Sequence, residues 1–319
     1  MASTAGSPFV EADLTIGASL ERVALAISAY HSDDAVIRLL GKIFTGSHPH
    51  FGAVIVVDSL GRGQILDAVK SNRWDIHYIN ADRNLGSAGN LDARVRTAAG
   101  LGLDWCFAVN HDGEVDFAKV LQLTQLGQSQ PKIGAVYPQL VFSNADERLD
   151  SPRRSFSTLG LLNGQSETGV TEVSWSSSNC ALYNLDAIRE GVSAWPHLWM
   201  GYEDLAIGWE LQRRGWSQLL DHSVKVIDSY EYRPVRFFGR RIHIAAKPSW
   251  YNYYQLRNLW LIASQSGGGA TTKVGVLRRL IIDVLLILLY RDRKAERLRL
   301  LLLGLRDGIR GITGKGPVP

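Results

Sequence analysis

Short β-branched apolar runs that close on polar residues recur through the first half of the chain. They are RVALAISA at 22–29, AVIVVD at 53–58, IHYIN at 76–80, WCFAVN at 105–110 and IGAVYP at 133–138. Runs of this length and composition mark strands buried on both faces of a parallel sheet. Helix-length stretches separate several of them, beginning near Ser32, at 88–99 and around 117–126. The alternation predicts βαβ units and a mostly parallel α/β sheet, Rossmann-like, flanked by helices. Ligands of such sheets bind beyond the carboxyl ends of the strands, which directs attention to Ser28, Asp58, Asn80 and Asn110 to Asp112.

From Ser143 to Val170 the pattern dissolves into Ser, Arg, Asn and Gly, the mark of a long excursion or a small irregular insertion, of a kind often functional where it sits over a site. Beyond it the pattern predicts a strand in VSWSS at 173–177, a helix at 185–190 and an aromatic loop from Trp195 to Tyr202. A helix at 205–214, stopped by Gly215, and a strand in LLDHSVKVID follow. From about Phe237 onward strand signals vanish and the chain reads as helical. Three parts are therefore expected: a flexible N-terminus at 1–20, an α/β domain at 21–240, and a helical, basic, amphipathic region at 241–319.

Composition narrows the class. A chain of 319 residues with 45% hydrophobic content is globular, and its two cysteines, Cys106 and Cys180, fit buried thiols better than a disulfide framework. The start of the chain lacks a basic stretch followed by an apolar run, and Leu280 to Tyr290 is interrupted by Asp283 and short of a bilayer span. A cytoplasmic protein is expected. The net charge of +4 is uneven, because residues 273–315 hold eleven Lys or Arg against four Asp or Glu. Such a tail suits the anionic inner face of a membrane, while the same leucines also suit a homodimer interface. No motif or zinc spacing supports nucleic acid as a partner.

Four constellations carry chemistry. Asn110-His111-Asp112 ends a strand, and a carboxylate there can hold a divalent cation on a diphosphate; the same Asp also serves as a helix cap. Asn84 to Asn90, NLGSAGN, enters a helix with two glycines that let a ligand approach backbone N–H groups, or forms a plain turn. Glu203-Asp204 opens a helix, as a general base or as N-terminal capping charge. Ser249 to Asn258 mixes aromatics with Arg257, suiting sugar stacking, a membrane interface, or packing on the main domain. His222 and Asp228 lie on the late strand, where either could complete a metal site or be structural.

Together these residues resemble family-2 inverting glycosyltransferases of the GT-A fold, in particular the rhamnosyl- and galactofuranosyltransferase branch, over roughly residues 22–265. The matching motifs are Ser28-Ala29-Tyr30, Asp58, Asn84 to Asn90, Asn110-His111-Asp112, Glu203-Asp204 with Arg213 to Trp216, and Tyr253 to Asn258. The resemblance implies a nucleoside diphosphate sugar, dTDP- or UDP-linked, bound by Ser28, Tyr30, Asp58, Asn84, Gly86, Ala88, Asn90, Asn110, Ser178 and Asn179. It implies Mg²⁺ or Mn²⁺ on Asp112 and Asp228, and catalysis by Asp204 with Glu203. Trp209, Arg213, Tyr254 and Arg257 would face the acceptor, a glycan or polyprenyl-diphosphate-linked glycan. A nucleotidyltransferase is a poorer match, since 28–34 lacks the Gly-rich first loop; a binding scaffold that has lost turnover is the other alternative.

Overall fold

The computed structural model describes residues 19–46, 50–111, 116–142, 153–155, 160–162, 169–228, 232–266 and 269–317. The N-terminal eighteen residues, Asp112 and most of the 143–170 excursion lie outside this set. Strands β1 (Val23–Ala29), β2 (Ala53–Ser59), β3 (His77–Ala81) and β4 (Trp105–Asn110) alternate with helices α1 (Asp33–Thr45), α2 (Gln64–Asn72) and α3 (Gly86–Gly100). Helix α4 (Ala118–Gln128) leads to β5 (Ile133–Phe142), and β6 (Arg153–Ser155) pairs with β7 (Gly160–Leu162). Then come β8 (Val170–Glu172), β9 (Ala181–Asn184), α5 (Leu185–Arg189), α6 (Glu203–Arg213) and β10 (Ser217–Asp228). A hairpin of β11 (Tyr232–Phe237) and β12 (Arg240–Ala245) precedes α7 (Tyr251–Gln265), α8 (Gly269–Tyr290) and α9 (Lys294–Ile309).

The main sheet has eight strands in the order β3-β2-β1-β4-β9-β5-β10-β8. Its first four are mutually parallel, as the βαβ reading expects, and β5 and β10 are also parallel. Between these blocks the short β9 runs antiparallel to β4 and β5. Alternate residues of β1 feed two cores. Leu25 and Ile27 pack with α1 and α4, while Ala24 and Ala26 face α3 and α5. Burial on both faces explains why these strands lack polar alternation. Helix α1 buries Val36, Leu39, Leu40 and Ile43 at helical spacing and places Asp33 and Asp34 in its first turn, where the helix dipole favours them. Cys106 and Cys180 are both free and buried.

The sequence reading missed several elements. Helix α2 escaped notice because only Ile65 and Val69 of its nine residues are buried, too few to show a stripe. Val173 to Ser177 lies outside any strand, and the pairing segments are β8 and β9 on either side of it. Residues 240–245 form β12 where only helix was expected, so the proposed division after residue 240 falls inside a hairpin. Beyond it, α7 packs against α9 with little space between, since a Cβ on Gly304 would collide with the Tyr253 carbonyl. Leu256, Leu259 and Ile262 of α7 join Trp175, Trp195 and Leu198 in one core, tying the C-terminal helices to the sheet domain.

Candidate active site

A cavity of about 640 Å³ opens beyond the carboxyl ends of β1 and β4, a size suited to a small ligand. Strand register places Ser28 beside Asn110 and Ala29 beside Asp58. The Ser28 hydroxyl donates to Asn110 Oδ1 at 3.0 Å, and Asn179 Oδ1 accepts from the Asn110 amide at 3.3 Å. Ser28, Tyr30, Asn110, Ser178 and Asn179 all line the cavity. Asp58 does not: it is buried and accepts a 2.7 Å hydrogen bond from the Tyr78 hydroxyl. Burial pushes the Asp58 carboxyl above its ordinary range, opposed by that hydrogen bond.

The second wall is the start of α3. Asn84 Oδ1 accepts from the Gly86 amide at 2.8 Å, and Gly86 has φ of +66°, a conformation that favours glycine. Any Cβ on Gly86 would strike the Trp199 carbonyl, which accepts from the Ala88 amide at 3.2 Å. Asn84, Gly86, Ser87 and Asn90 line the cavity, whereas Ala88 is wholly buried against the loop that leads to Glu203. Asn90 donates to the Val57 carbonyl at 3.0 Å, and its buried Oδ1 meets no partner among the described residues.

That loop is strained and clamped. Trp195, Trp199 and Tyr202 all have positive φ, and Asn258 Nδ2 spans the carbonyls of Leu198, Met200 and Gly201 at 2.8 to 3.1 Å. Arg257 donates to Leu198 O at 2.6 Å and Gly314 O at 2.7 Å. The loop delivers Glu203 and Asp204 to the first turn of α6, whose dipole favours carboxylates, and both line the cavity. Glu203 Oε2 is shut off from solvent with no hydrogen-bond partner among the described residues. Burial raises the Glu203 carboxyl to about 7 and neighbouring Asp204 adds to the rise, while Ser87 and Lys247 oppose it. The Asp204 Oδ1 accepts from the Leu205 amide at 2.8 Å.

No family model and no characterised protein matches the chain by sequence. Solved structures do match. Residues 1–349 of TarS from S. aureus, in complex with UDP-GlcNAc, align at a TM-score of 0.57 and 11% identity, covering 91% of this chain and 81% of that one. The mannosyltransferase PcManGT from Pyrobaculum calidifontis, in complex with GDP-Man and Mn²⁺, aligns at 0.54 and 11% identity, covering 90% and 87%. The fold is GT-A.

Several expected residues stand elsewhere in this GT-A domain. Trp209 packs edge-on against Trp195 at 5.4 Å, with Arg213 5.2 Å over its ring and paired to Glu210 at 2.8 Å. Tyr254 lies under Trp199 at 4.9 Å, and Arg257 is fully buried over Tyr254 and Tyr253. None of the four lines the cavity. Arg213 and Arg257 instead donate to Glu210 and to the Leu198 and Gly314 carbonyls, and the Tyr254 hydroxyl accepts from the Gly316 amide. His222 is buried between Gln139 at 3.0 Å and Thr171 at 3.1 Å, a structural histidine.

Among the described residues no three His, Cys, Asp or Glu side chains cluster to hold a metal. The expected ligands are outside that set: Asp112 entirely, and Asp228 by its side chain, though its backbone ends β10. At the end of β4 the Asn110 side-chain oxygen accepts from Ser28, and His111 also lines the cavity.

The sequence reading also missed residues. Arg94 lines the cavity from inside α3, is 3% exposed, and donates to Ala26 O at 3.2 Å and Val109 O at 3.0 Å. It bridges the carbonyls of β1 and β4, and burial lowers its pKa, with Glu203 among the groups that oppose the change. One signal was available: Arg94 occupies an apolar-stripe position of α3, between the buried Leu91, Val95 and Ala98. Lys247, Tyr251, Arg279, Asp283 and Arg291 also line the cavity, supplied by the region expected to serve the membrane.

Proposed function

We propose that the protein is an inverting glycosyltransferase that moves a sugar from a nucleoside diphosphate to a hydroxyl of a glycan or lipid-linked glycan. One observation carries this reading: the clamped loop sets Glu203 and Asp204 into a cavity shared with Ser28, Asn84 and Asn110 at the strand ends of a GT-A fold. The donor nucleotide lies across those ends, near Ser28, Tyr30 and the Asn84 to Asn90 loop. The dTDP- or UDP-linked, rhamnose- or galactofuranose-like donor is the one implied by the motif resemblance.

Asp204 takes the proton of the acceptor hydroxyl as its oxygen bonds the anomeric carbon from the face opposite the diphosphate. The bond from that carbon to the diphosphate oxygen breaks, and the electron pair leaves with the nucleoside diphosphate. Inversion follows in one step, with no covalent enzyme intermediate. Glu203, raised by burial, holds its proton more tightly than an ordinary carboxyl, which limits the negative charge beside Asp204 as it works. A Mg²⁺ or Mn²⁺ on Asp112, aided by Asp228, would supply charge neutralisation for the departing diphosphate.

The cellular setting is proposed as the inner face of the plasma membrane. No helix among the described residues is long and apolar enough to cross a bilayer. Support for peripheral attachment comes from α8, which exposes Val274, Leu277, Ile281 and Leu288 along one stripe, with Lys273 and Arg278 exposed beside it. Flotation with anionic liposomes checks it, since a protein that stays at the bottom of the gradient is not peripheral.

The catalytic reading is tested by thermal unfolding across nucleotides and nucleotide sugars, with and without Mn²⁺. A shift with one nucleoside diphosphate series, larger with metal, is expected. No shift with any donor would return the chain to a binding scaffold of the same fold.

A further inference from the structure

The floor of the cavity contains a cation that the protein leaves without a counter-charge. Arg94 is 3% exposed, makes no ion pair among the described residues, and lines the cavity from inside α3. Its Nη1 serves the carbonyls of Ala26 and Val109, which stand just before the paired strand-end residues Ser28 and Asn110. The guanidinium therefore lies directly under the ends of β1 and β4. Its Nη2 makes no hydrogen bond among the described residues and, unlike Nε, is not shut off from solvent. That nitrogen is the part of the buried cation that reaches the cavity.

The same floor brings acceptors to it. Ser87, Asn90 and Arg94 follow one another at helical spacing on one face of α3, and all three line the cavity. The long Arg94 side chain leans toward the start of its helix, back toward Ser87. Ser87 bonds the Glu203 carboxyl, and Glu203 acts on the charge of Arg94. Glu203 Oε2 and Asn90 Oδ1 both lack a hydrogen-bond partner among the described residues. Interiors rarely leave polar atoms bare, so an occupant that completes donor and acceptors together is called for.

The chemistry of that occupant is constrained. A phosphate or carboxylate would suit Arg94 but brings no proton for the acceptors and meets the Glu203-Asp204 pair as a like charge. A hydroxyl accepts from the guanidinium and donates to Glu203 at once, and it can also accept from Glu203 when that carboxyl is protonated.

We propose that Arg94 is a specificity-determining residue that holds one hydroxyl of the transferred sugar between its guanidinium and the Glu203 carboxyl. The inference rests on the glycosyltransferase reading and assigns how its donor sugar is selected. A site built around a hydroxyl rejects a sugar lacking it, because the buried groups are then left unpaired.

Calorimetric titration of UDP, dTDP and their glucose, galactose and rhamnose conjugates tests it. The tightest conjugate is expected to bind about tenfold or more tighter than its bare nucleotide. Arg94→Met should remove that gain and leave nucleotide affinity unchanged. One deoxy form of the same sugar should bind the native protein as weakly as the intact conjugate binds the variant. Arg94→Lys is the second variant should Arg94→Met unfold: it keeps a charge under the strand ends but cannot serve both carbonyls and a hydroxyl, so most of the gain should go. A gain untouched by either variant would overturn the proposal. Equal weakening of bare nucleotide would overturn it by giving Arg94 to the diphosphate, and no gain with any conjugate would leave the floor to water. Failure of the underlying enzyme reading looks different: no nucleotide binds at all.

Discussion

The loop Asn84 to Asn90 and the run Tyr253 to Asn258 on α7 are both rich in polar motif residues, yet they work on opposite sides of the same wall. Asn84, Gly86 and Asn90 present groups to the cavity from the start of a helix. Arg257 and Asn258 are fully buried behind it and donate into the carbonyls of 198–201. The difference follows from what surrounds each donor. A helix N-terminus at a sheet edge leaves amides open to a ligand, whereas a guanidinium inside packed helices must find protein acceptors or remain unsatisfied. Residues facing the cavity should therefore govern turnover, and residues facing the loop should govern stability.

The largest effect expected on the cavity side is that of Asp204→Asn. Loss of the base should lower kcat by about 100- to 10,000-fold. The melting temperature and the affinity for nucleoside diphosphate should hold. Retained turnover in this variant would take the base role from Asp204 and break the comparison at its strongest point.

On the loop side, Arg257→Met strips the donors from the Leu198 and Gly314 carbonyls while keeping most of the side-chain volume. A cost of about 2 to 4 kcal/mol is expected in denaturant unfolding. If stability is unchanged and only acceptor KM rises, Arg257 faces the acceptor after all.

How far the sequence reveals this arrangement depends on what each signal reports. Strands β1, β2 and β4 are legible because burial on both faces leaves an uninterrupted apolar run, and their polar ends mark the cavity through Ser28 and Asn110. Glu203 and Asp204 are legible because paired acids at a helix start are a local pattern. Nothing local marks Lys247 or Arg279, which reach the cavity through the packing of α7 and α8 on the sheet domain. Motif residues with two uses were read toward the ligand: Asp58, Tyr254 and Arg257 have the right chemistry, and only the tertiary structure shows that Tyr78, Trp199 and the Leu198 carbonyl occupy it.

Glu203 belongs to both sides, and pH separates its two roles. Its carboxyl is raised from 4.5 to about 7, so between these values the folded state binds more protons than the unfolded state. Stability from this group is present at low pH and falls as pH rises toward 7. Glu203→Gln never ionises, so it should match the native protein near pH 5 and exceed it at pH 8 by on the order of 1 to 2 kcal/mol. Chemical denaturation at the two pH values measures the difference. A variant equally destabilised at both would show a packing defect in place of a titration.

The smallest expected effect is the sharpest check on whether Arg213 meets the acceptor. Arg213 is 48% exposed, pairs with Glu210 at 2.8 Å and covers Trp209 on a face of α6 away from the cavity. Exposed pairs of this kind contribute about 0 to 1 kcal/mol. Arg213→Ala should therefore change stability within that range and leave both kcat and acceptor KM as they are. Glu210 keeps a partner in Arg214 at 3.3 Å and also accepts from Trp195, so the orientation of α6 should survive the loss. A rise in acceptor KM with kcat preserved would put this face of α6 in contact with the acceptor.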